Sequence, residues 1–318
     1  MAKENIIAFS QAHAEPEWLQ VRRQTAFDKI SELKLPLIQR VKLDRWNFGS
    51  NDITESLDSS NVPDFTNLGE NPKLIQVGTT TVFQQLSPDL ANKGVIFTDF
   101  YSALEEIPEI IEQYFGTALP FDEDKLTAYH TAYFNSAAVL YVPDNVEVNV
   151  PVEGLFYQDS DEAVPFNKHV LIIVGKHAKL SYLERFESLG KDSVKNTANI
   201  AVEVIALEGA QVKFSAIDRL GSNLTTFISR RGRLNKNAQI DWNLGVMNEG
   251  NVVADFDSDL VGEGSHAELK AVAISSGKQI QGIDTRVTNY APHSIGHILQ
   301  HGVILEAGTL TFNGIGHI

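Results

Sequence analysis

Three histidines raise the first chemical question. His293, His297 and His301 stand four apart, a spacing that on a helix would gather them on one face as ligands to a single ion. Pro292, Gly296 and Gly302 argue against a helix there. On a strand, four residues span about 13 Å, too far for one ion whose ligands stand about 2 Å away, so histidines that serve the fold are the plainer account. Ile295-Gly296-His297-Ile298 recurs as Ile315-Gly316-His317-Ile318. Neighbouring strands would bring His297 and His317 together, and this pair is the candidate metal site.

Asp255, Asp257 and Asp259 begin like a calcium loop, but Leu260 and His266 occupy the positions that need glycine and a closing glutamate. Alternation with Phe256, Ser258 and Leu260 makes them the wet face of a strand instead. Arg230, Arg231, Arg233 and Lys236 form the one basic cluster. It suits an anion or an acidic partner, or, more plainly, a solvated turn. No G-x-x-x-x-G-K-[ST] loop occurs, and Gly262-Glu263-Gly264 lacks a third glycine, so an ATPase must be a separate chain. G-x-S-x-G and H-E-x-x-H are also missing. No catalytic residue is assigned.

Composition narrows the setting. The 318 residues are 43% hydrophobic, enough for a substantial core. A net charge of −15 disfavours nucleic acid and anionic membrane as partners. Zero cysteines exclude disulfides, thiolate ligands and a cysteine nucleophile on this chain. With no basic-then-apolar leader and no apolar run of membrane-spanning length, a cytoplasmic protein is expected.

The elements that must position these residues show themselves by repetition. Lys176-His177-Ala178-Lys179-Leu180 returns as Glu208-Gly209-Ala210-Gln211-Val212, Lys236-Asn237-Ala238-Gln239-Ile240, Glu263-Gly264-Ser265-His266-Ala267 and Glu306-Ala307-Gly308-Thr309-Leu310. Taking Ala178, Ala210, Ala238, Ser265 and Gly308 as equivalent gives steps of 32, 28, 27 and 43. Repeats of this length mark stacked units that cannot bury their apolar faces alone. Period-two runs at Val139–Val142, Val146–Val150, Val170–Val174 and Leu180–Phe186 predict strands, and Ile200–Ala206, Thr225–Arg230, Val252–Leu260 and His297–Leu305 supply a second strand in each later repeat. No apolar residue recurs every six positions, as a left-handed hexapeptide helix requires. The expected fold is mainly β: a right-handed parallel β-helix, with an antiparallel sandwich as the competing arrangement.

Ahead of it, at 1–135, a helical and mixed region is expected; the β-helix takes 136–318. Pro16 starts a helix through Trp18, Leu19, Ala26, Phe27, Ile30 and Leu33 that Pro36 ends. Gly49 to Glu70 reads as a loop. Leu74–Val77 and Thr81–Leu86 form a hairpin. Helical spacing from Leu104 to Phe115 breaks at Pro108 and ends at Gly116, and a further helix runs from Asp122 to about Asn135.

Several of these segments resemble one family. Glu15-Pro16-Glu17-Trp18-Leu19 with Ala26, Val139-Leu140-Tyr141-Val142-Pro143-Asp144-Asn145-Val146, Ala291-Pro292-His293-Ser294 and Phe312-Asn313-Gly314-Ile315-Gly316-His317-Ile318 are similar, in order, to segments of the SufB/SufD family. The long N-terminal region and the lack of cysteine resemble the SufD branch more than the SufB branch. Asn289 departs from the pattern, where the family favours histidine.

The resemblance implies a non-catalytic scaffold subunit of the SufBCD complex, paired with a SufB-like subunit and acted on by a SufC-like ATPase, with an iron–sulfur cluster at the level of the complex. It also implies pairing with SufB through the β-helix, and further core strands and a helical segment beyond Ile318, where SufC docks and residues implicated at the SufB–SufD interface lie. The competing class is a β-helix carbohydrate-active enzyme using Asp255, Asp257, Asp259 and Glu263 as groove carboxylates; a metal-binding protein is a third. A solenoid ending on an open strand edge is expected to pair with a second copy, and a light-scattering mass that stays monomeric at high concentration would count against that dimer.

Overall fold

A left-handed residue recurs at one corner of every coil. Asn145, His177, Gly209, Asn237, Gly264 and His293 have φ of 62°, 56°, 69°, 56°, 69° and 59°. Glycine and asparagine accept this conformation at low cost. Its sharp reversal presents each turn's N–H to the next coil. His177 N donates to Glu208 O at 2.8 Å, Gly209 N to Lys236 O at 2.8 Å, and Asn237 N to Glu263 O at 2.8 Å. Inter-strand pairing therefore continues around the corner, leaving few turn groups unsatisfied. At the opposite corner amide side chains do similar work: Asn196 Nδ2 donates to Val164 O at 2.6 Å and Asn223 Nδ2 to Val194 O at 2.8 Å.

The computed structural model describes residues 2–49, 53–55, 61–64 and 68–318. The expected loop from Gly49 to Glu70 lies partly outside the described residues. Between the corners run β4 (Ser136–Val142), β5 (Val152–Asp159), β6 (Phe166–Val174), β7 (Lys179–Leu189), β8 (Asn196–Ala206), β9 (Gln211–Arg219) and β10 (Leu224–Leu234). They continue as β11 (Gln239–Val246), β12 (Asn251–Leu260), β13 (His266–Ser275), β14 (Ile280–Asn289), β15 (Ile295–Ile304) and β16 (Thr309–His317). Odd-numbered strands stack in parallel in one sheet and even-numbered strands in a second, so each coil gives one strand to each. The chain is a parallel β-solenoid, as the repeat predicts, and not an antiparallel sandwich.

Stacked strands put like positions in columns. Tyr182, Phe214, Trp242 and Leu269 share one inward column through successive registers. Ring centroids lie 5.3 Å apart for Tyr182–Phe214 and 4.6 Å for Phe214–Trp242. These residues and the inward residues of the even sheet form the largest core cluster.

An N-terminal layer covers the outer face of the even sheet. It holds α1 (Ala2–Ala12), α2 (Glu17–Lys29), α4 (Phe100–Glu106), α5 (Pro108–Tyr114) and α6 (Lys125–Tyr133), whereas Leu90 of α3 (Pro88–Asn92) packs into the solenoid core. Strand β3 (Ile96–Asp99) extends the even sheet antiparallel to β4, and the hairpin β1 (Lys73–Val77) and β2 (Thr80–Gln85) caps the odd sheet. Phe100, Phe115 and Phe134 pack on Val139, Leu171 and Ile173. Ile38 and Val41 lie so close to the even sheet that a Cβ on Gly282 would stand 2.6 and 2.8 Å from their methyls. Pro108 begins α5 after a break at Ile107, and Gly116 (φ 71°) follows it, as predicted.

Several expectations shift. Val146–Val150 is no strand; Glu147 makes one isolated bridge to Lys179, and the strand is β5, just past Pro151. Helix α6 starts at Lys125, because Asp124 caps it with Thr127 in a reciprocal capping box. The 43-residue step joined two different corners. Thr309 follows Gly308 into the even sheet, in register with Ile280, whereas the partner of His266 is Ile295. Ser294 is therefore the true equivalent of Ser265, giving a step of 29, and β14 is the strand concealed in the gap.

At the start of the solenoid Lys168 is wholly buried, with its amine against Gln76 Oε1 at 2.9 Å, Gly78 O at 3.2 Å and the Ser136 hydroxyl. Burial pushes the amine down to about 7. The amine donates to all three oxygens. Since the folded value is depressed, stability is fully present above the unfolded value near 10.5 and is lost as pH falls towards 7. Urea unfolding should show the native chain gaining on the order of 2–3 kcal/mol over Lys168→Met between pH 7 and pH 9.5; parallel pH profiles for the two proteins would show the lysine remains charged.

Candidate functional site

Alternation along a strand sends consecutive side chains to opposite faces, and it divides the basic cluster. Arg230 points into the solenoid and Arg231 out of it. The Arg230 guanidinium donates to Glu184 Oε2 at 2.8 Å and to Asp218 at 2.7 and 2.8 Å, with all three groups buried. Phe186, Phe214 and Phe256 surround it, their centroids 5.8, 5.9 and 5.6 Å away. Burial pushes the Glu184 carboxyl up to about 7, with Arg230 pulling the other way. Despite its burial, Arg230 is held above its ordinary value by Asp218 and Glu184.

The expected solvated turn is therefore wrong for these arginines. Arg231 is buried against Glu123 at 2.7 Å, Asp255 at 2.6 Å and Asp257 at 3.2 Å, and Arg286 reaches Asp257 at 3.3 Å. Burial, then the Asp255 charge, pushes Asp257 up to about 8. Register explains the network, because Arg231 stands opposite Asp257 and Arg233 opposite Asp259. Asp255 and Asp257 are thus tied into an ion-pair network beneath the N-terminal layer, where Asp255 borders a small cavity with Asp124, His130 and Asn199. Glu263 sits in a corner, its carbonyl accepting from Asn237. The carbohydrate-enzyme arrangement loses its carboxylate groove.

A second polar network joins the layer to the even sheet. His130 Nε2 lies 3.1 Å from His169 Nδ1, and His130 Nδ1 lies 3.2 Å from Asn199. His169 Nε2 is 3.1 Å from Glu203, whose carboxylate accepts from the N–H groups of Gly116, Ala118 and Leu119 at 2.7, 2.8 and 3.0 Å. Burial, then the neighbouring His169, holds His130 well below its ordinary value. The network positions the layer and is closed to solvent.

Open chemistry lies on the outer face of the odd sheet from β9 to β15, beyond the start where Leu68, Val82 and Phe83 cover Leu155 and Tyr157. There Ile217, Val272, Ile274, Leu299 and Val303 are exposed. Beside them His266 and Glu268, two apart on β13, meet His297 on β15, which stands directly opposite Glu268. Glu268 Oε1 is 3.0 Å from His266 Nε2 and 2.7 Å from His297 Nδ1. His317 does not join them: it ends β16 in the other sheet, paired with Thr288. His301 shares the outer face of β15 with His297 but belongs to no such group, and His293 is a corner residue. His266 and Glu268 escaped sequence reasoning because the repeat was stepped wrongly; aligning Ser294 with Ser265 places His297 opposite Glu268.

A model of the SUF system FeS cluster assembly SufBD core domain matches residues 156–318, and one of the SufBD protein N-terminal region matches residues 69–153. The chain is 34% identical over 332 residues to the iron-sulfur cluster assembly protein SufD of Bacillus subtilis (strain 168), covering 99% of this chain and 75% of that protein. It is 23% identical over 333 residues to an iron-sulfur cluster assembly SufBD family protein of Staphylococcus saprophyticus, covering 99% and 71%. A SufBD family protein of Staphylococcus epidermidis (strain ATCC 12228) is 24% identical over 302 residues, covering 95% and 64%.

The buried arginine makes a direct prediction. Arg230→Met strands two carboxylates in the core and should cost about 3–5 kcal/mol in urea unfolding. Adding Glu184→Leu and Asp218→Leu should recover most of that loss; a triple variant as unstable as the single one would show the three groups are not energetically coupled.

Proposed function

We propose, because this chain belongs to the SufBD family of iron–sulfur cluster assembly proteins, that it acts as a SufD-like, non-catalytic scaffold subunit. It pairs with a SufB-like subunit through the solenoid, and a SufC-like ATPase moves the pair during assembly. The iron–sulfur cluster is the cargo of the complex, and no resident cofactor is assigned to this chain. One observation carries the proposal: consecutive family matches run from residue 69 to Ile318 along a chain whose coils are hydrogen-bonded through strand and corner alike.

The physical case follows from that ladder. A stack in which every coil bonds its neighbours moves as a body, so a push at one end arrives at the other with little lost to bending. The helices of the N-terminal region, 1–135, brace one face, its strands β1–β3 close the start of the stack, and 136–318 form the rod. The uncovered face, with its exposed aliphatic residues, suits an apolar partner surface. Among the described residues no helix is long and apolar enough to cross a membrane, and the proposed setting is the cytoplasm. With a net charge of −15, nucleic acid is no partner in this proposal. A second copy is a further partner for the free chain.

Co-expression with SufB-like and SufC-like chains of the same organism is the test. Affinity capture of this chain should recover both partners in one complex. Recovery of neither from full-length components would overturn the scaffold assignment.

A further inference from the structure

We infer that His266, Glu268 and His297 form a binding site for a first-row divalent metal ion on the uncovered face of the odd sheet. Each offers one ligand atom, and these atoms lie within 4.8 Å of one another. Among the described residues this is the one group of three or more such side chains that does so. The site does not depend on the scaffold role.

The backbone prepares the geometry. Strand β13 is held on both sides, by β11 and by β15, so His266 and Glu268 project from a fixed ladder. His297 stands in register with Glu268, closing a triangle of two imidazoles and a carboxylate. The two ring centroids are 5.8 Å apart with the planes at 89°, an edge-on arrangement that turns Nε2 of His266 and Nδ1 of His297 to the same carboxylate oxygen. Nitrogen and oxygen ligands about 2.0–2.2 Å from a tetrahedral zinc stand roughly 3.3–3.5 Å from one another. The present 2.7 and 3.0 Å separations stand roughly 0.3–0.8 Å short of that.

Ligand chemistry selects the ion. Two neutral imidazoles with one carboxylate suit zinc or iron(II), whereas magnesium and calcium favour all-oxygen cages. Three protein ligands leave at least one position for water or for a group from another molecule. Side-chain exposures of 34%, 28% and 64% for His266, Glu268 and His297 leave the ion a route from solvent.

The test uses the tag-free full chain, stripped with chelator and then titrated with Zn²⁺ by calorimetry and with Co²⁺ by visible absorption. One ion per chain is expected, with d–d bands of a nitrogen- and oxygen-ligated cobalt. His266→Ala, Glu268→Ala and His297→Ala should each weaken binding at least about tenfold. His301→Ala, on the same face of β15, should bind as the native chain does. All four side chains lie on the surface, so circular dichroism and unfolding midpoints should stay close to native. Absence of stoichiometric binding by the native chain, or undiminished binding by the His266→Ala/His297→Ala double variant, would overturn the site.

Discussion

Coil-to-coil hydrogen bonding, carried through strand and corner without a gap, is the constraint on which the rest of the molecule depends. Once Lys179, Gln211, Gln239, His266 and Ile295 share a row, every later side chain has an assigned neighbour above and below. The aromatic column from Tyr182 to Trp242, the pairing of Arg231 with Asp257, and the meeting of Glu268 with His297 all follow from that one register. A slip of one residue would turn each strand inside out. The left-handed corner residue opposes such slips, because it fixes where each strand begins.

Much of this was legible in the chain. Period-two patterning and the recurring corner phrase identify a solenoid, and proline with glycine mark most helix limits before it. What escaped had physical causes. Strand β14 is interrupted in its apolar pattern by Gln281, Thr285 and Gln and Asn neighbours, since its inward face contains polar groups; Gln281, for one, donates to Ile274 O. β5 is buried at almost every residue and so lacks the alternation that Val146–Val150 displays. Corner phrases at the two ends of the coil can look alike because some of each carry a left-handed residue, as Gly277 and Glu306 show at one end and Gly264 and His293 at the other. Telling them apart requires knowing which sheet follows.

Charge was harder to read than shape. Adjacent arginines look like one basic patch in a string of letters, yet pleating sends Arg230 among phenylalanines and Arg231 among aspartates. Neither is available to an external anion. The same alternation hides Glu184 and Asp218 within strands whose other letters look like ordinary surface. Buried ion pairs of this kind give little net stability, yet removing one partner leaves an uncompensated charge in the core. The candidate metal site is the reverse case, with three polar residues left outside, where only the register brings them together.

The corners also explain how such a rod tolerates change. Successive coils consume 32, 28, 27 and 29 residues between Ala178, Ala210, Ala238, Ser265 and Ser294, yet the strands they contain stay aligned. Surplus length is taken up between the strands, as at 160–165 and 190–195, where Val194 N still donates to Ser160 O and Ser193 Oγ to Asp161. These bends act as expansion joints: insertions and deletions there alter local outline while the spacing of every outward row is preserved. Length can thus vary at the rim while the outward rows of the odd sheet keep their register.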